Sequence, residues 1–182
     1  MTRTYYYTAT TLDGFLADEH DSLHWLFKQD QDKEGALSYD AFIAGIGALA
    51  MGATTYEWLM DHTGGTWDYT QPTWVFTHRE LPKIEADVRF VQGDVAPVHA
   101  EMTAAVAGKD LWVVGGGDLA AQFAQAGLLD QILVSIAPVT LGAGRPLFPR
   151  PFDLRLVALE RNRDFACATY DVVGPLAPPA EV

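Results

Sequence analysis

Short strand-like runs of apolar and β-branched residues alternate along this chain with segments of helical periodicity, and this alternation restricts the fold most strongly. Strands are predicted over residues 3–10, 47–51, 73–77, 88–91, 111–114, 132–137, 154–160 and 164–173. Helices are predicted over residues 34–46, 56–62, 95–107 and 118–126. Strands separated by helices pair in parallel, whereas two successive strands at the end pair antiparallel. The sequence therefore predicts an α/β fold with a central mixed, mostly parallel sheet, flanked by helices and closed by an antiparallel C-terminal edge.

The length of the chain fits one domain. A chain of 182 residues can bury a core without disulfides. We find no internal repeat and no linker, so residues 1–174 are predicted to form a single domain. Residues 175–182 include Pro175, Pro178 and Pro179 and are predicted to be a flexible tail.

The chain is acidic, with a formal net charge of −12 at pH 7. This charge repels phosphodiester backbones, so nucleic-acid binding is not expected. A phosphate-bearing ligand must then be held locally, by backbone amides or by one or two basic side chains. Cys167 is the single cysteine and lies in a strand-like run, so we expect an inert thiol and no metal site. The sequence has no apolar run of signal-peptide or membrane-span length, and we expect a cytoplasmic protein without membrane contacts.

The most informative stretch is a glycine turn that follows an apolar run. Residues 111–114 form a predicted buried strand, three glycines follow, and a helix begins directly after them. In open α/β sheets, ligands bind at the carboxyl ends of strands, where helix N-termini present free N–H groups. The alternative is a tight strand-to-helix turn without a ligand. The residues predicted to contact a dinucleotide here are Gly115, Gly116, Gly117, Asp118 and Leu119.

Two further strand ends repeat this pattern. Gly52, Ala53 and Thr54 follow a predicted buried strand and begin a helix, although capping by Thr54 or Thr55 explains these threonines equally well. Another strand ends in a hydroxyl, an imidazole and a guanidinium, which belong to Thr77, His78 and Arg79. Both groups are predicted to belong to the cofactor site, and a solvated surface arginine is the alternative for Arg79.

Four landmarks occur in a fixed order: residues 9–17 with Asp13-Gly14, residues 51–56, residues 114–117 with 127–130, and residues 138–148. Together they resemble the dihydrofolate reductase-like family built on the C-terminal reductase domain of bacterial riboflavin-biosynthesis enzymes. The resemblance covers nearly the whole chain, from Thr4 to about Tyr170.

This resemblance implies NADPH bound across the glycine turn, a homodimer, and hydride transfer to a small heterocyclic or sugar-derived substrate. It also implies that Asp13 is the residue that contacts the substrate at the catalytic centre. An Asp-Gly turn without any such role is the alternative for Asp13.

The chain departs from the family pattern at positions that carry charge. Members commonly have arginine where this chain has Ala53, and dihydrofolate reductases have arginine where it has Asp118. His78 and Arg79 remain as cations near that end, so NADPH is the expected cofactor and NADH is possible. Ala36 stands where a folate reductase would place its acid, and folate reduction is therefore not expected.

Two tryptophans and a long loop are predicted to enclose the substrate. Trp25 and Trp58 flank the proposed cleft and are predicted to wall a flat ring. The loop over residues 16–33 is the predicted lid. The predicted function is an NAD(P)H-dependent reductase. The alternative is a non-catalytic protein of the same fold that binds a dinucleotide or another small molecule. Residues 132–137 and 165–173 are predicted to form the homodimer interface, since apolar edge strands require burial.

Overall fold

The computed structural model describes residues 1–177. The strands are β1 (Thr4–Thr11), β2 (Phe15–Ala17), β3 (Ile46–Gly52), β4 (Thr73–Phe76), β5 (Val88–Val91), β6 (Asp110–Gly115), β7 (Gln131–Ala137), β8 (Arg145–Pro146), β9 (Phe152–Asn162) and β10 (Phe165–Pro175). The helices are α1 (His24–Phe27), α2 (Tyr39–Ala44), α3 (Ala53–His62), α4 (Val95–Ala105) and α5 (Gly117–Gln125). Part of the predicted tail, residues 178–182, lies outside the described residues, whereas Pro175 belongs to β10.

One eight-stranded sheet has the order β5-β4-β3-β6-β1-β7-β10-β9. The first six of these strands pair in parallel, whereas β10 pairs antiparallel with both β7 and β9. The prediction of a mixed, mostly parallel sheet with an antiparallel C-terminal edge is confirmed. The parallel strands all end at the same side of the sheet, so their carboxyl-terminal residues lie together.

Helices cover both faces of this sheet. On one face, α4 and α5 contribute Val98, Met102 and Phe123 to a core that includes Tyr6 and Trp74. A second core lies around Leu49, Tyr56 and Trp112, with side chains of α2 packed against it. Strands that are buried on both sides read as continuous apolar runs, and this explains why the parallel strands were recognisable in the sequence.

The helix predicted over residues 34–46 is wrong in its first half. Asn162, which is 2% exposed, donates to the carbonyl oxygens of Asp32 and Ala36 and accepts the N–H of Asp32. These bonds hold the segment in turns, and the helix begins only at Tyr39, where the Ser38 hydroxyl accepts the N–H of Ala41. A contact 130 residues away in sequence thus replaces the local helical bonds.

The sheet order also corrects the predicted dimer edge. Residues 132–137 and 165–173 lie within β7 and β10, which have neighbours on both sides. The outermost strand at this end is β9, which carries the exposed side chains of Leu156, Val157 and Leu159. If an edge of the sheet associates with a second copy at this end of the molecule, β9 is that edge. In the described part of the chain, no helix is both long and apolar enough to cross a membrane.

Candidate functional site

A cavity of about 690 Å³ opens at the carboxyl ends of the central parallel strands. Its walls come from the ends of β3, β4, β5 and β6, the starts of α3 and α5, the segment between β2 and α1, and residues near β8. Ten residues of the predicted cofactor site line it: Gly52, Ala53, Thr54, Thr77, His78, Gly115, Gly116, Gly117, Asp118 and Leu119. The sheet topology brings these residues together from three separate stretches of sequence.

The glycine turn forms the floor where α5 begins. Gly116 is the N-cap residue of α5, with φ −85° and ψ −175°, and the Gly115–Gly116 peptide bond is cis. A Cβ added to Gly116 would meet no atom of residues 1–177 within 4 Å. A Cβ added to Gly117 would overlap the carbonyl oxygens of Pro146 and Leu147. Packing therefore requires glycine at 117, whereas at Gly116 the missing side chain leaves open space.

A second helix begins beside this turn. Gly52 is the N-cap of the 10-residue helix α3, and a Cβ there would lie 4.0 Å from the carbonyl oxygen of Gly115. Within the described residues, no side chain caps either α3 or α5. Thr54 and Thr55 lie inside the first turn of α3, so the interpretation of these threonines as caps is wrong. The first N–H groups of both helices thus remain available at one cavity.

The strand end after β4 contributes a polar corner. Thr77 and His78 line the cavity, and the Thr77 hydroxyl accepts the N–H of Arg79 at 3.0 Å. The Arg79 guanidinium turns to Glu57 and donates to its two carboxylate oxygens at 3.0 and 2.6 Å. Glu57 raises the pKa of Arg79 through these bonds. Arg79 lies next to the cavity but outside its lining.

Asp118 lines the cavity as a charged group. Its carboxylate accepts hydrogen bonds from Gln122 at 2.7 Å and from Arg150 at 3.0 Å. The bond from Gln122, together with the nearby Arg150, lowers the pKa of Asp118. A carboxylate that ionises this readily does not hold a proton at neutral pH.

Asp13 lies in the turn between β1 and β2, outside the cavity lining. Its carboxylate accepts the Thr11 hydroxyl at 2.6 Å and the N–H groups of Leu141 and Gly142 at 3.0 and 2.7 Å. The Thr11 hydroxyl and these N–H groups lower the pKa of Asp13. Gly14 follows with φ +82°, as an Asp-Gly turn requires. This geometry ties two loops together and favours the turn interpretation over contact with a substrate.

The two tryptophans have different environments. Trp58 lines the cavity, with its ring stacked on His62 at 4.6 Å between ring centroids. Trp25 is 5% exposed and packs in a core cluster with Phe165 and Cys167. The prediction that Trp25 covers a substrate is therefore corrected, because its ring is buried in that cluster. Its neighbours Leu23 and Leu26 line the cavity instead.

Sequence reasoning also missed two charged residues of the lining, Asp21 and Arg145. Arg145 belongs to the stretch over residues 138–148 that carries part of the family resemblance, but its place at the cavity depends on pairing between β8 and β2. Two and three residues are too short for a strand to be recognised from alternation. The glycines of that stretch, Gly142 and Gly144, were the available indication of a constrained loop.

The family model of the RibD C-terminal domain matches residues 60–165, which is more than half of the chain. The chain belongs to this family. Its relatives include the uncharacterized protein YwjB of Bacillus subtilis, which is 29% identical over 167 residues, covering 91% of this chain and 94% of the relative. A second uncharacterized protein of that organism, YyaP, is 27% identical over 179 residues, covering 91% and 90% of the two chains.

Solved structures show the same fold. A putative riboflavin biosynthesis protein from Shewanella sp. PV-4 superimposes with a TM-score of 0.81 at 23% identity, over 94% of this chain and 99% of the other. A dihydrofolate reductase from Enterococcus faecalis superimposes with a TM-score of 0.53 at 13% identity, over 93% and 96% of the two chains. The predicted dihydrofolate reductase-like fold is confirmed.

Proposed function

We propose that this protein is an NAD(P)H-dependent reductase that acts on a small heterocyclic or sugar-derived molecule. One observation carries the proposal: two uncapped helix N-termini face one cavity, beside a glycine at which a side chain would enter open space. Backbone N–H groups at helix N-termini bind phosphate groups, and they do so without any cationic side chain. In a chain of net charge −12, such backbone N–H groups would offset the repulsion that the negatively charged phosphates of a dinucleotide meet.

The residues of the cavity fit such a cofactor. The amides at Gly116–Asp118 and at the start of α3 would bind its pyrophosphate, and the Thr77–His78 corner would contact the adenosine end. The Enterococcus faecalis dihydrofolate reductase with the same fold is described as complexed with NADP(H), which supports this choice. When bound, a reduced nicotinamide supplies a hydride.

The remaining walls suit a flat, mostly apolar substrate. Leu16, Leu23 and Leu26 line the cavity on the side of the predicted lid, and Trp58 lines it from α3. These side chains exclude water and offer one aromatic face for a ring. Asp118, whose pKa is lowered, does not serve as a proton donor at neutral pH.

A non-catalytic dinucleotide-binding protein is the second candidate. Two contacts in the cavity favour it. Asp118 has a lowered pKa and does not donate a proton, and the carboxylate of Asp21 is paired with Arg145, so neither acid is placed to protonate a substrate. Both candidates require dinucleotide binding, and only the reductase requires oxidation of the cofactor in the presence of a substrate. Turnover with a panel of heterocyclic carbonyl and imine compounds separates them.

Gly116→Val tests the cofactor site directly. The backbone of Gly116 has an extended ψ and a negative φ that valine adopts easily, so the variant should fold. We expect at least a tenfold loss of NADPH affinity by titration calorimetry, because the branched side chain would stand between the amides and the pyrophosphate.

Gly174→Val is the matched control, because a Cβ there also meets no atom of the described residues within 4 Å. It lies in β10 and should bind NADPH like the wild type. If Gly116→Val folds and keeps its NADPH affinity, the dinucleotide does not occupy the glycine turn.

A further inference from the structure

Arg145 lies at the edge of the cavity, next to the glycine turn. In the pairing of β8 with β2, Arg145 stands opposite Ala17, and it lines the cavity. The next residue, Pro146, places its carbonyl oxygen where a Cβ on Gly117 would be. The backbone of Arg145 and Pro146 therefore lies beside the first turn of α5, where free amides and the helix dipole attract an anion.

The guanidinium of Arg145 is hydrogen-bonded to the carboxylate of Asp21. The carboxylate accepts from Nε at 2.6 Å and from Nη2 at 3.0 Å. Asp21 belongs to a tight turn in which the Asp18 carboxylate accepts the N–H groups of His20 and Ser22. The backbone of Asp21 has φ 60°, a left-handed conformation that aspartate adopts more readily than most residues and that is common in tight turns. The turn thus places the Asp21 carboxylate against two N–H donors of the Arg145 guanidinium, at the wall of the cavity.

The other arginines near the cavity lie outside its lining. Arg79 is bound by Glu57 outside the lining, and Arg150 is bound by Asp118 and by the side chain of Gln125. Of the lysines and arginines in residues 1–177, Arg145 is the one that lines the cavity. It is the available positive charge for a ligand phosphate there.

Exchange of Asp21 for another anion is favourable on physical grounds. The side chains of Arg145 and Asp21 are 56% and 35% exposed, and an ion pair so close to water contributes little to stability. A phosphate between the guanidinium and the helix amides would receive charge-assisted bonds from both. Arginine also suits phosphate because its planar fork binds two oxygens at once.

We propose that Arg145 is a phosphate-binding residue of the cavity, and that the pyrophosphate of the dinucleotide displaces Asp21 from its guanidinium. This inference rests on the proposed function, because it takes the dinucleotide to lie at the glycine turn. Arg145 then supplies, from β8, the positive charge that Ala53 and Asp118 do not supply at the helix starts.

The displacement has a structural consequence for the lid. Asp21 bonds the turn over residues 18–22 to β8 through Arg145. When the phosphate takes the guanidinium, this bond is lost. The segment that carries Leu23 and Leu26 is then less tightly held, so cofactor binding is coupled to the mobility of the lid.

The test is a double-mutant cycle measured by titration calorimetry with NADPH and, separately, with inorganic pyrophosphate. Arg145→Gln should weaken both ligands about tenfold or more. Asp21→Asn should instead tighten both by about two- to fivefold, because the internal competitor is removed. Most of that gain should disappear when Asp21→Asn is combined with Arg145→Gln.

Arg155→Gln is the matched control. It removes one charge and one exposed ion pair, that with Asp171, on β9, and it should leave both affinities unchanged. The inference is overturned if Arg145→Gln binds pyrophosphate and NADPH as the wild type does, or if Asp21→Asn weakens them.

The two proposals fail in distinguishable ways. If the wild type binds NADPH and the cycle shows no effect, the reductase proposal stands and the role of Arg145 is refuted. If the wild type binds no dinucleotide, the proposed function is refuted, and the pyrophosphate titrations alone decide on Arg145. Weaker binding in Arg145→Gln then supports a phosphate from the substrate, and absence of pyrophosphate binding overturns the inference as well.

Discussion

Arg79 and Glu57 form a two-point ion pair beside the polar corner of Thr77 and His78. An adenosine 2′-phosphate carries close to two negative charges and needs a cation in an acidic protein. Arg79 provides this cation if it leaves Glu57. Because the pair is exposed to solvent, breaking it costs little free energy. We therefore propose NADPH as the better ligand and NADH as the weaker one.

Arg79→Ala should reduce NADPH affinity several-fold and leave NADH affinity unchanged, because only NADPH carries the 2′-phosphate. Glu57→Gln should have the opposite effect on NADPH, since it releases the guanidinium. Fluorescence titration of both cofactors into each variant measures these changes. Equal binding of NADPH and NADH by the wild type would contradict a 2′-phosphate site at this corner.

At the residue scale, the sequence predicts the glycine turn well and the surrounding side chains poorly. Three consecutive glycines after an apolar strand predict, by local pattern alone, a turn from a strand into a helix, and the structure has this turn. Local pattern does not reveal that Gly117 touches the loop at Pro146 while Gly116 faces open space. It also does not separate a buried Trp25 from a cavity-lining Trp58, because burial depends on residues far along the chain.

At the scale of secondary-structure elements, Asp13 links the turn between β1 and β2 to the loop after β7 by hydrogen bonds. Its carboxylate accepts N–H groups of Leu141 and Gly142, and the backbone adds a bond from Leu12 to Val139 at 2.8 Å. These bonds position both loops that flank the short pair of β2 and β8. We expect Asp13→Asn to lower the melting temperature by a few degrees, because an amide nitrogen would face these donors.

The same bonds give a pH dependence with a definite sign. They lower the pKa of Asp13 below its ordinary range, so the folded state favours the ionised form. This stabilisation is present above the ordinary aspartate pKa and is lost as pH falls through the lowered one. The difference in melting temperature between wild type and Asp13→Asn should therefore shrink on acidification. Unchanged stability with reduced turnover would instead assign Asp13 to the substrate.

Sequence patterns were sufficient to predict a helix or strand wherever its buried residues recur with the spacing of that element. The parallel strands and α3, α4 and α5 were predicted because their apolar residues recur with strand or helix spacing. The segment over residues 32–38 and the pair β2–β8 were missed, because long-range hydrogen bonds determine them. Asn162 holds the first, and the second is bonded across more than 120 residues.

The whole molecule presents an apolar edge at β9. Leu154, Leu156, Val157 and Leu159 are between 42% and 63% exposed, and an exposed apolar edge strand is prone to association. We propose that two copies of the chain associate through this edge. Leu156→Asp should convert the homodimer to a monomer in sedimentation equilibrium at micromolar concentration.

Leu12→Asp serves as the control, because Leu12 is 70% exposed in the turn between β1 and β2. It introduces the same charge at a distant position and should remain dimeric. A wild-type protein that sediments as a monomer across the micromolar range would contradict the proposal.

The position of β6 in the sheet has a consequence for synthesis of the chain. The strands β1 and β3 are made first, yet they do not pair with each other, since β6 lies between them and pairs with both. A nascent chain on the ribosome therefore carries two unsatisfied strand edges until residues 110–115 emerge. Insertion of this strand joins the two halves of the sheet and in the same event delivers its terminal glycines beside Gly52. The pairing that joins β1 to β3 through β6 thus also places the starts of α3 and α5 side by side at the ligand cavity.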